Sequence, residues 1–354
     1  IMGLTSQSTG ASVLTNDLVI EHSSDEKIIA LAGNPNVGKS TVFNALTGLN
    51  QHTGNWPGKT VASAQGKYRH KDRSFILVDI PGTYSLMANS VEEEIARDFI
   101  CFGEADACVV VADATCLERN LNLVLQTLEI SPNVVVCVNL MDEARRKKIS
   151  IDLEGLSREL GVPVIGTSAR SGKGLDNLMD AVYELAFRNA SSLQESAAAC
   201  LQINYGEAVE EAIAVLEPAV KKILAGRLNS RWLALRLIEG DISLLESMRK
   251  YLNLDLLNDD NIRDNLAKAR QILDETGIET NSLRDMIVSC IIKKAEEISK
   301  KTIFYLNQHY NSTDRKIDKI LTSRIFGIPI MIALLGLIFW ITITGANYHS
   351  SLLA

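Results

Sequence analysis

Eight residues near the start of the chain have the types and the spacing that hold a phosphate group. Residues 33–40 read Gly-Asn-Pro-Asn-Val-Gly-Lys-Ser, a pattern of two glycines, a lysine and a hydroxyl residue at fixed spacing. In such a loop successive backbone N–H groups point at an anion, and the following helix adds the partial positive charge of its N-terminus. Lys39 would reach the terminal phosphates, and the Ser40 hydroxyl would bind a magnesium ion. The alternative, a glycine-rich turn that binds nothing, fits this eight-residue match poorly.

A second set of residues could complete the phosphate and magnesium site. Residues 79–82 read Asp-Ile-Pro-Gly after two predicted strands at 60–68 and 74–78. The spacing puts the Asp79 carboxylate at a strand end near the magnesium and the Gly82 N–H within reach of a γ-phosphate. Between this motif and the first lies a segment at 51–60 that is rich in Gly, Pro and Asn, which predicts a mobile loop and a candidate switch.

Two further motifs have the chemistry to select a base. Residues 139–142 read Asn-Leu-Met-Asp, and residues 167–169 read Thr-Ser-Ala, each after an apolar run. The Asp142 carboxylate can accept both the N1–H and the N2 amino hydrogens of guanine, whereas adenine offers no such pair of donors. Asn139 would tie the loops together, and the backbone N–H of Ala169 would meet the guanine O6. Each short motif is weak alone, but their order along the chain is specific.

The elements that must position these residues are read from the flanking hydrophobicity. Uncharged apolar runs at 28–32, 107–112, 134–138 and 162–165 predict buried strands, and 41–46, 117–129 and 175–187 predict helices between them. Strands that alternate with helices predict an α/β fold with a parallel, doubly wound sheet, which binds ligands at the carboxyl ends of its strands.

Length and composition limit the alternatives. The chain has 354 residues, so we expect more than one domain, and its net charge of −7 argues against a nucleic-acid-binding surface. Six cysteines are scattered without a C-x-x-C pair, which is typical of reduced core residues rather than of a metal site. Residues 1–27 lack the basic and apolar regions of a signal peptide and predict a disordered extension.

The chain beyond the α/β domain changes character. A linker is predicted at 189–202, and the apolar spacing over 203–312 predicts an all-α domain. A basic juxtamembrane segment at 313–324 precedes an uncharged apolar run at 325–346, which predicts a transmembrane helix with the preceding domains in the cytoplasm. Because one helix cannot enclose a polar path through lipid, we expect these residues to be the front end of a longer membrane protein or a truncated product.

Residues 33–40, Thr60 and residues 79–82, 139–142 and 167–169 together resemble the five nucleotide motifs of the Ras-like P-loop GTPases. Residues 54–58, Gly-Asn-Trp-Pro-Gly before Thr60, and residues 79–86, Asp-Ile-Pro-Gly-Thr-Tyr-Ser-Leu, look specifically like the ferrous iron transport protein B (FeoB-type) family. The entry into the apolar run, including Gly327, Ile328 and Pro329, is also similar to this family's entry into its permease.

The resemblance implies a complete set of site residues. The implied nucleotide contacts are Gly33, Asn34, Pro35, Asn36, Val37, Gly38, Lys39, Ser40, Thr41, Gly58, Lys59, Thr60, Asp79, Gly82, Asn139, Leu140, Asp142, Thr167, Ser168 and Ala169. It implies catalytic roles for Lys39, Asn36, Thr60 and Gly82. It also implies Mg²⁺ held by Ser40, Thr60 and Asp79, and an activating K⁺ held by Asn36 and by carbonyls of Gly54 and Trp56.

Two departures from a generic GTPase predict modest affinity and slow hydrolysis. Thr83 stands where Ras-like proteins carry a water-orienting glutamine, and Leu140 stands where the guanine motif normally has lysine. Both variants resemble the FeoB-type family. In relatives without the glutamine, the potassium ion would supply the missing positive charge.

The implied function is GTP hydrolysis that regulates ferrous iron uptake at the cell membrane. The implied partners are GTP and GDP, the lipid membrane, the remainder of the permease, small accessory iron-transport proteins and a second copy of the chain, with no nucleic acid. Two alternatives stay open at this point. The chain could be a ribosome-assembly-type GTPase that binds RNA, or a non-catalytic GTP-sensing module for a transporter of another divalent metal.

Overall fold

The computed structural model describes residues 18, 20, 22–23, 25–48, 51–56, 61–188, 201–305 and 327–353. Most of the predicted N-terminal extension and linker, the end of the predicted switch loop and the predicted basic segment at 313–324 lie outside these residues. The strands are β1 (Glu26–Gly33), β2 (Gln51–Asn55), β3 (Ala62–His70), β4 (Arg73–Asp79), β5 (Ala107–Asp113), β6 (Val134–Asn139), β7 (Ile149–Ile151), β8 (Val164–Gly166) and β9 (Ile303–Tyr305). The helices are α1 (Lys39–Thr47), α2 (Val91–Phe102), α3 (Leu117–Ile130), α4 (Met141–Arg146), α5 (Leu153–Leu160), α6 (Leu175–Ala186), α7 (Glu207–Leu224), α8 (Ser230–Glu239), α9 (Ile242–Leu252), α10 (Asp260–Glu275), α11 (Thr280–Thr302) and α12 (Gly327–Leu353).

The main sheet is mixed rather than wholly parallel. Within the described residues it has seven strands in the order β2-β3-β4-β1-β5-β6-β8. β1 pairs in parallel with β4 and β5, and β6 pairs in parallel with β5 and β8. β3 pairs antiparallel with both β2 and β4. The prediction of a parallel sheet is therefore wrong at this edge, because the short turn at Lys71 and Asp72, both with positive φ, returns the chain as a hairpin.

The central strands are buried on both faces, which explains their continuous apolar runs. Every described residue of β6 is buried, and so are six of the seven residues of β5. On one face Phe43 of α1 and Met179 of α6 join a core that contains Ile29 and Leu31 of β1. This packing fixes the carboxyl ends of β1, β4 and β6 at one edge of the sheet, where the predicted motifs begin.

Helices α7 to α11 form the predicted helical domain. The apolar positions that predicted α7 are buried, among them Val209, Ile213, Leu216 and Val220. The second predicted apolar block forms α8, in which Trp232 is 5% exposed. The predicted boundary at residue 312 lies outside the described residues.

A buried arginine joins the helical domain to the α/β domain. Arg97 of α2 is fully buried, and its guanidinium donates to the Asp98 carboxylate at 2.8 Å and to the Ser243 hydroxyl at 2.8 Å. It also donates to the Asp241 carboxylate at 3.3 Å and to the Ser247 hydroxyl at 3.3 Å. Burial raises the pKa of the Asp98 carboxyl, while the charge of Arg97 opposes that rise. The two domains are thus joined by a buried guanidinium whose partners come from both of them.

The remaining described residues include the predicted membrane segment. A helix does form there, α12, with exposed apolar side chains such as Met331, Leu334 and Trp340. In the part of the chain that the structure describes, no helix has both the length and the apolar character needed to cross a membrane.

Loss of the Arg97 side chain should destabilise the protein strongly. Arg97→Ala leaves the carboxylates of Asp98 and Asp241 without their cation, and we expect a loss of about 3–5 kcal/mol in the free energy of unfolding. Denaturant unfolding followed by circular dichroism measures this. The control is Arg69→Ala, because the exposed Arg69 guanidinium lies 3.6 Å from Asp72 and should contribute no more than about 0.5 kcal/mol. Equal effects of the two substitutions would contradict this account of the interface.

Candidate functional site

The predicted phosphate-binding loop at residues 33–40, called the phosphate loop below, lies between a strand and a helix, as its sequence predicts. β1 ends at Gly33 and α1 begins at Lys39, so the loop joins a buried strand directly to a helix N-terminus. Gly38 has φ +82°, and a Cβ atom there would lie 2.5 Å from the Asn139 side-chain nitrogen. A larger residue at 38 would therefore be strained and would collide with the second motif. Asn36 is also left-handed, with φ 67°, and its side chain is exposed.

Lys39 is paired with the second motif. Its ammonium donates to the Asp79 carboxylate and to the Ile80 carbonyl at 2.6 Å. The side chains of Lys39 and Asp79 are 11% and 19% exposed. The structure therefore brings together the predicted phosphate lysine and the predicted magnesium carboxylate.

Asn139 links the phosphate loop to the turn after β8. This side chain is 1% exposed, and its amide nitrogen donates to the Val37 carbonyl at 3.1 Å. Its amide oxygen accepts from the Thr167 hydroxyl at 3.2 Å and from the Ala169 backbone N–H at 3.0 Å. The predicted tying role of Asn139 is thus visible as three hydrogen bonds. The Ala169 N–H, predicted to meet a base, already has this partner.

The two predicted base-contacting turns lie side by side. The backbone N–H of Asp142 donates to the Ser168 hydroxyl at 3.2 Å, and the N–H of Met141 donates to the Thr167 carbonyl at 3.1 Å. Asp142 lies in the first turn of α4 with its side chain exposed. Leu140, where a lysine is usual, has φ 62°, an uncommon conformation for a residue with a Cβ atom.

A buried thiol supports the same turn. The Cys137 sulfur lies 3.2 Å from the Thr167 hydroxyl oxygen. Burial raises the pKa of the Cys137 thiol to about 12, so the group stays neutral. Because the Thr167 hydroxyl donates to Asn139, its oxygen is left to accept from the thiol. From the sequence, Cys137 was expected only to be a core residue.

The segment after Asp79 is held by Thr83 and by Gln126, a residue that the sequence did not single out. The hydroxyl of Thr83, which is 5% exposed, donates to the Ser85 carbonyl at 2.6 Å, so this residue closes a local turn. The Leu86 N–H and the Ser85 hydroxyl both donate to the side-chain oxygen of Gln126 in α3, at 2.7 and 3.1 Å. The sequence feature that could have indicated a role for Gln126 was a glutamine among the mostly apolar residues of 121–128. Gly82 lies next to the phosphate loop, since a Cβ atom there would be 3.4 Å from the Pro35 Cα.

Part of the segment that was predicted to be a mobile switch loop forms a strand instead. Residues Gln51–Asn55 form β2 on the edge of the sheet, where Gly54 pairs with Ser63. Trp56 is 5% exposed, and its ring packs edge-on against Phe99 of α2 at 5.3 Å between centroids. The prediction of a loop is wrong for 51–55, because antiparallel pairing with β3 satisfies this backbone despite its polar composition. Gly58, Lys59 and Thr60 lie outside the described residues.

The donor groups present fit a phosphate and a hard cation. Ser40 offers a hydroxyl and Asp79 a carboxylate, which are the oxygen ligands that Mg²⁺ prefers. Both polar atoms of the Asn34 side chain are buried and lack a hydrogen-bond partner in the described part of the protein. An unpaired buried amide is costly, and it lies in the loop where a polar ligand would be bound.

Comparison with known proteins gives two family matches. The family model described as ferrous iron transport protein B matches residues 27–182, and the model described as FeoB cytosolic helical domain matches residues 205–303. The relative named Fe(2+) transporter FeoB from Salmonella choleraesuis (strain SC-B67) is 33% identical over 320 residues, which is 89% of this chain. The protein of the same name from Escherichia coli (strain K12) has the same identity and coverage. The chain spans 38% of the length of each of these relatives.

Solved structures resemble the same part of the chain. The apo cytosolic domain of the T. maritima FeoB iron transporter is 33% identical with a TM-score of 0.60, and the match covers 79% of this chain and 100% of that one. The same domain in its GMPPNP form has a TM-score of 0.62 at 33% identity, covering 78% and 99% of the two chains. A GDP-bound mutant of the S. thermophilus FeoB G-domain has a TM-score of 0.66 at 31% identity, covering 78% and 100%. On these matches and on the site geometry, the chain belongs to the ferrous iron transport protein B family.

Proposed function

We propose that this chain binds and hydrolyses GTP and is the cytoplasmic regulatory portion of a ferrous iron transporter. The observation that carries this proposal is the position of Asn139, which bonds at once to the phosphate loop and to the turn beside Asp142. A ligand with phosphates at one end and a base at the other would contact both. The GDP and GMPPNP forms of the similar solved structures support the same ligand.

Binding of the nucleotide would change the hydrogen-bond partners of Lys39 and Asp79. Lys39 would leave Asp79 for the β- and γ-phosphates, which frees the carboxylate for the cation. Ser40, Asp79 and Thr60 would hold Mg²⁺, which neutralises phosphate charge when it is bound. The backbone N–H of Gly82 would donate to the γ-phosphate, so that the segment after β4 responds to the presence of that phosphate.

Hydrolysis transfers the γ-phosphoryl group to water and releases GDP and phosphate. Thr83 is unsuited to orient the water because its hydroxyl already bonds to Ser85. We propose that Asn36, with carbonyls of Gly54 and Trp56, holds K⁺ beside the phosphates and supplies positive charge there. The exposed Asn36 side chain supports this proposal, and its left-handed backbone is compatible with a loop that curls around an ion.

The transport role rests on the relatives. Proteins named Fe(2+) transporter FeoB are more than twice the length of the matched region, so we propose that further permease segments complete a transporter in the cell membrane. The exposed apolar side chains of α12 would contact lipid or those segments. Small accessory iron-transport proteins and a second copy of the chain are proposed partners.

Base selectivity is the first test. Asp142→Ala removes the acceptor for two guanine hydrogens and should weaken GTP binding by about 2–4 kcal/mol. Equilibrium titration with GTP and ATP measures the selectivity. The control is Asp176→Ala, which removes an exposed carboxylate from the first turn of α6. Equal affinities for GTP and ATP in the unmodified protein would refute the assignment.

Cation dependence is the second test. GTP turnover should be faster in potassium than in sodium, because the proposed site at Asn36 holds K⁺, and Na⁺, which has the same charge but a smaller radius, would fit the same oxygen ligands less well. Asn36→Ala should abolish this difference and leave GDP affinity within about threefold, since the backbone N–H groups of the loop remain. Identical rates in the two salts would overturn the potassium proposal. Negligible turnover in both salts would favour the non-catalytic GTP sensor.

Iron uptake by the whole transporter is the third test. The full-length protein should restore Fe²⁺ accumulation to cells that lack their own uptake system. Lys39→Ala should abolish this rescue, because the phosphates lose their lysine, while membrane insertion is unchanged. Undiminished uptake with Lys39→Ala would show that nucleotide does not control transport. Restored accumulation of manganese instead of iron would identify another divalent metal as the substrate.

A further inference from the structure

Four consecutive cationic side chains lie on the surface where α4 ends and β7 begins. They are Arg145, Arg146, Lys147 and Lys148, called the α4–β7 cations below, and each of them is exposed. The whole chain has 36 lysines and arginines against 43 aspartates and glutamates, which gives a net charge of −7. The α4–β7 cations are therefore a local exception to the acidic balance of the protein.

Most of this positive charge has no protein partner in the described part of the chain. Arg146 makes an ion pair with Glu143 at 3.2 Å, and both side chains are exposed to water. Among the described residues, Arg145, Lys147 and Lys148 make no ion pair. Because adjacent like charges repel one another, a group of cations without partners is stabilised by an external anion.

The local structure accounts for only part of the charge. Arg145 and Arg146 lie in the last turn of α4, where cations complement the partial negative charge of a helix C-terminus. Lys147 and Lys148 follow the helix, so this explanation does not apply to them. By contrast, Lys301 in the last turn of α11 is paired with a carboxylate of α5 at 2.9 Å. Cations of this protein thus do pair with carboxylates where the fold provides them.

The α4–β7 cations lie beside the part of the chain that continues to the apolar helix α12. β7 begins directly after Lys148 and forms a two-stranded sheet with β9. The Asp152 N–H, which follows β7, donates to the Thr302 carbonyl at the end of α11 at 2.8 Å. The chain divides into two compact units, and Lys147–Ile149 belongs to the unit that contains Tyr305 and α12. These cations are therefore placed where the connection to α12 starts.

We propose that the α4–β7 cations bind the phosphate groups of anionic phospholipids at the cytoplasmic surface of the membrane. This inference rests on the proposed function, in which α12 contributes to a membrane transporter. The exposed side chains of α12 are apolar, among them Met331, Leu334 and Trp340, and they suit contact with lipid. Clusters of about four to eight lysines and arginines beside such a segment are attracted to an anionic membrane surface. The contact holds one edge of the nucleotide site at the membrane, because Asp142 lies in the first turn of the same short helix.

Lysine acetylation of the unmodified full chain tests this contact. The protein is added to preformed vesicles of phosphatidylcholine, or of phosphatidylcholine with an equal part of phosphatidylglycerol, and acetylation by N-hydroxysuccinimidyl acetate is followed by mass spectrometry. At low salt Lys147 and Lys148 should react roughly 3- to 10-fold more slowly on the anionic vesicles, because lipid phosphates would cover them. High salt should remove the difference, since it screens charges at a surface. Lys221 and Lys222, which are exposed on α7, are the internal controls and should react at similar rates on both kinds of vesicle.

Two variants that lose the same charge separate the α4–β7 cations from positive charge in general. The first combines Arg145→Gln, Arg146→Gln, Lys147→Gln and Lys148→Gln. The second removes four exposed cations of the helical domain by combining Lys221→Gln, Lys222→Gln, Arg227→Gln and Lys268→Gln. Amides of residues 145–149 should exchange hydrogen more slowly on anionic than on neutral vesicles in the unmodified protein and in the second variant. In the first variant the two kinds of vesicle should give equal exchange.

Equal acetylation of Lys147 and Lys148 on both kinds of vesicle, with the protein bound to both, would overturn the lipid contact and leave the proposed function intact. Equal slowing of Lys221 and Lys222 would also overturn it, because that pattern marks a general effect of the anionic surface. Slowing by added RNA but not by phosphatidylglycerol would assign the cations to nucleic acid instead. If the protein bound neither kind of vesicle, the proposed membrane role would itself fail, and the lipid contact with it.

Discussion

The structure of the site depends on the hydrogen bonds of one buried amide. Asn139 donates to the phosphate loop and accepts from the turn after β8, so the positions of two otherwise separate loops are set by a single side chain. Because Asn139 is almost fully buried, water cannot replace these partners. The glycine at position 38 follows from the same constraint, since any Cβ atom there would occupy the space of the Asn139 amide.

Two of the contacts between the two domains are buried and polar, and the first is made with a helix that also packs against the predicted switch segment. Arg97 and Asp98 lie on α2, which also packs against Trp56 through Phe99. At another point the Tyr205 hydroxyl donates to the Glu129 carboxylate at 2.5 Å, and burial raises the pKa of that carboxyl. Removing such groups from water is favourable only when both domains supply partners, which favours one relative arrangement of the domains. A movement of the site could be transmitted to the helical domain only through a stiff junction of this kind.

The secondary structure predicted from the sequence agrees best with the structure where the hydrophobic pattern is long and uninterrupted. The predicted strand at 134–138 and the predicted helix at 117–129 match β6 and α3 within one residue, because their hydrophobic patterns are long and uninterrupted. The edge of the sheet was predicted less well. The sequence of Gln51–Asn55 contains glycine and polar residues that favour a loop, yet pairing with β3 makes it a strand. The direction of β3 was also not evident, since alternation of side chains is the same in parallel and antiparallel strands.

The amino-acid sequence was enough to predict which residues could bind phosphate, a cation and a base, because each of these functions needs fixed residue types at fixed local spacing. It also indicated the central strands β1, β5 and β6 and the helices α1, α3 and α6, since hydrophobic periodicity is a local property, but it did not predict α2. The polar residues that hold the segment after Gly82 became evident from the folded structure alone, in which Gln126 and Arg284 contact this segment from two domains. Neither residue belongs to a motif, and each acts through a backbone group that is distant in sequence. Such contacts depend on how helices pack, and packing is set by the whole core rather than by any one stretch of the chain.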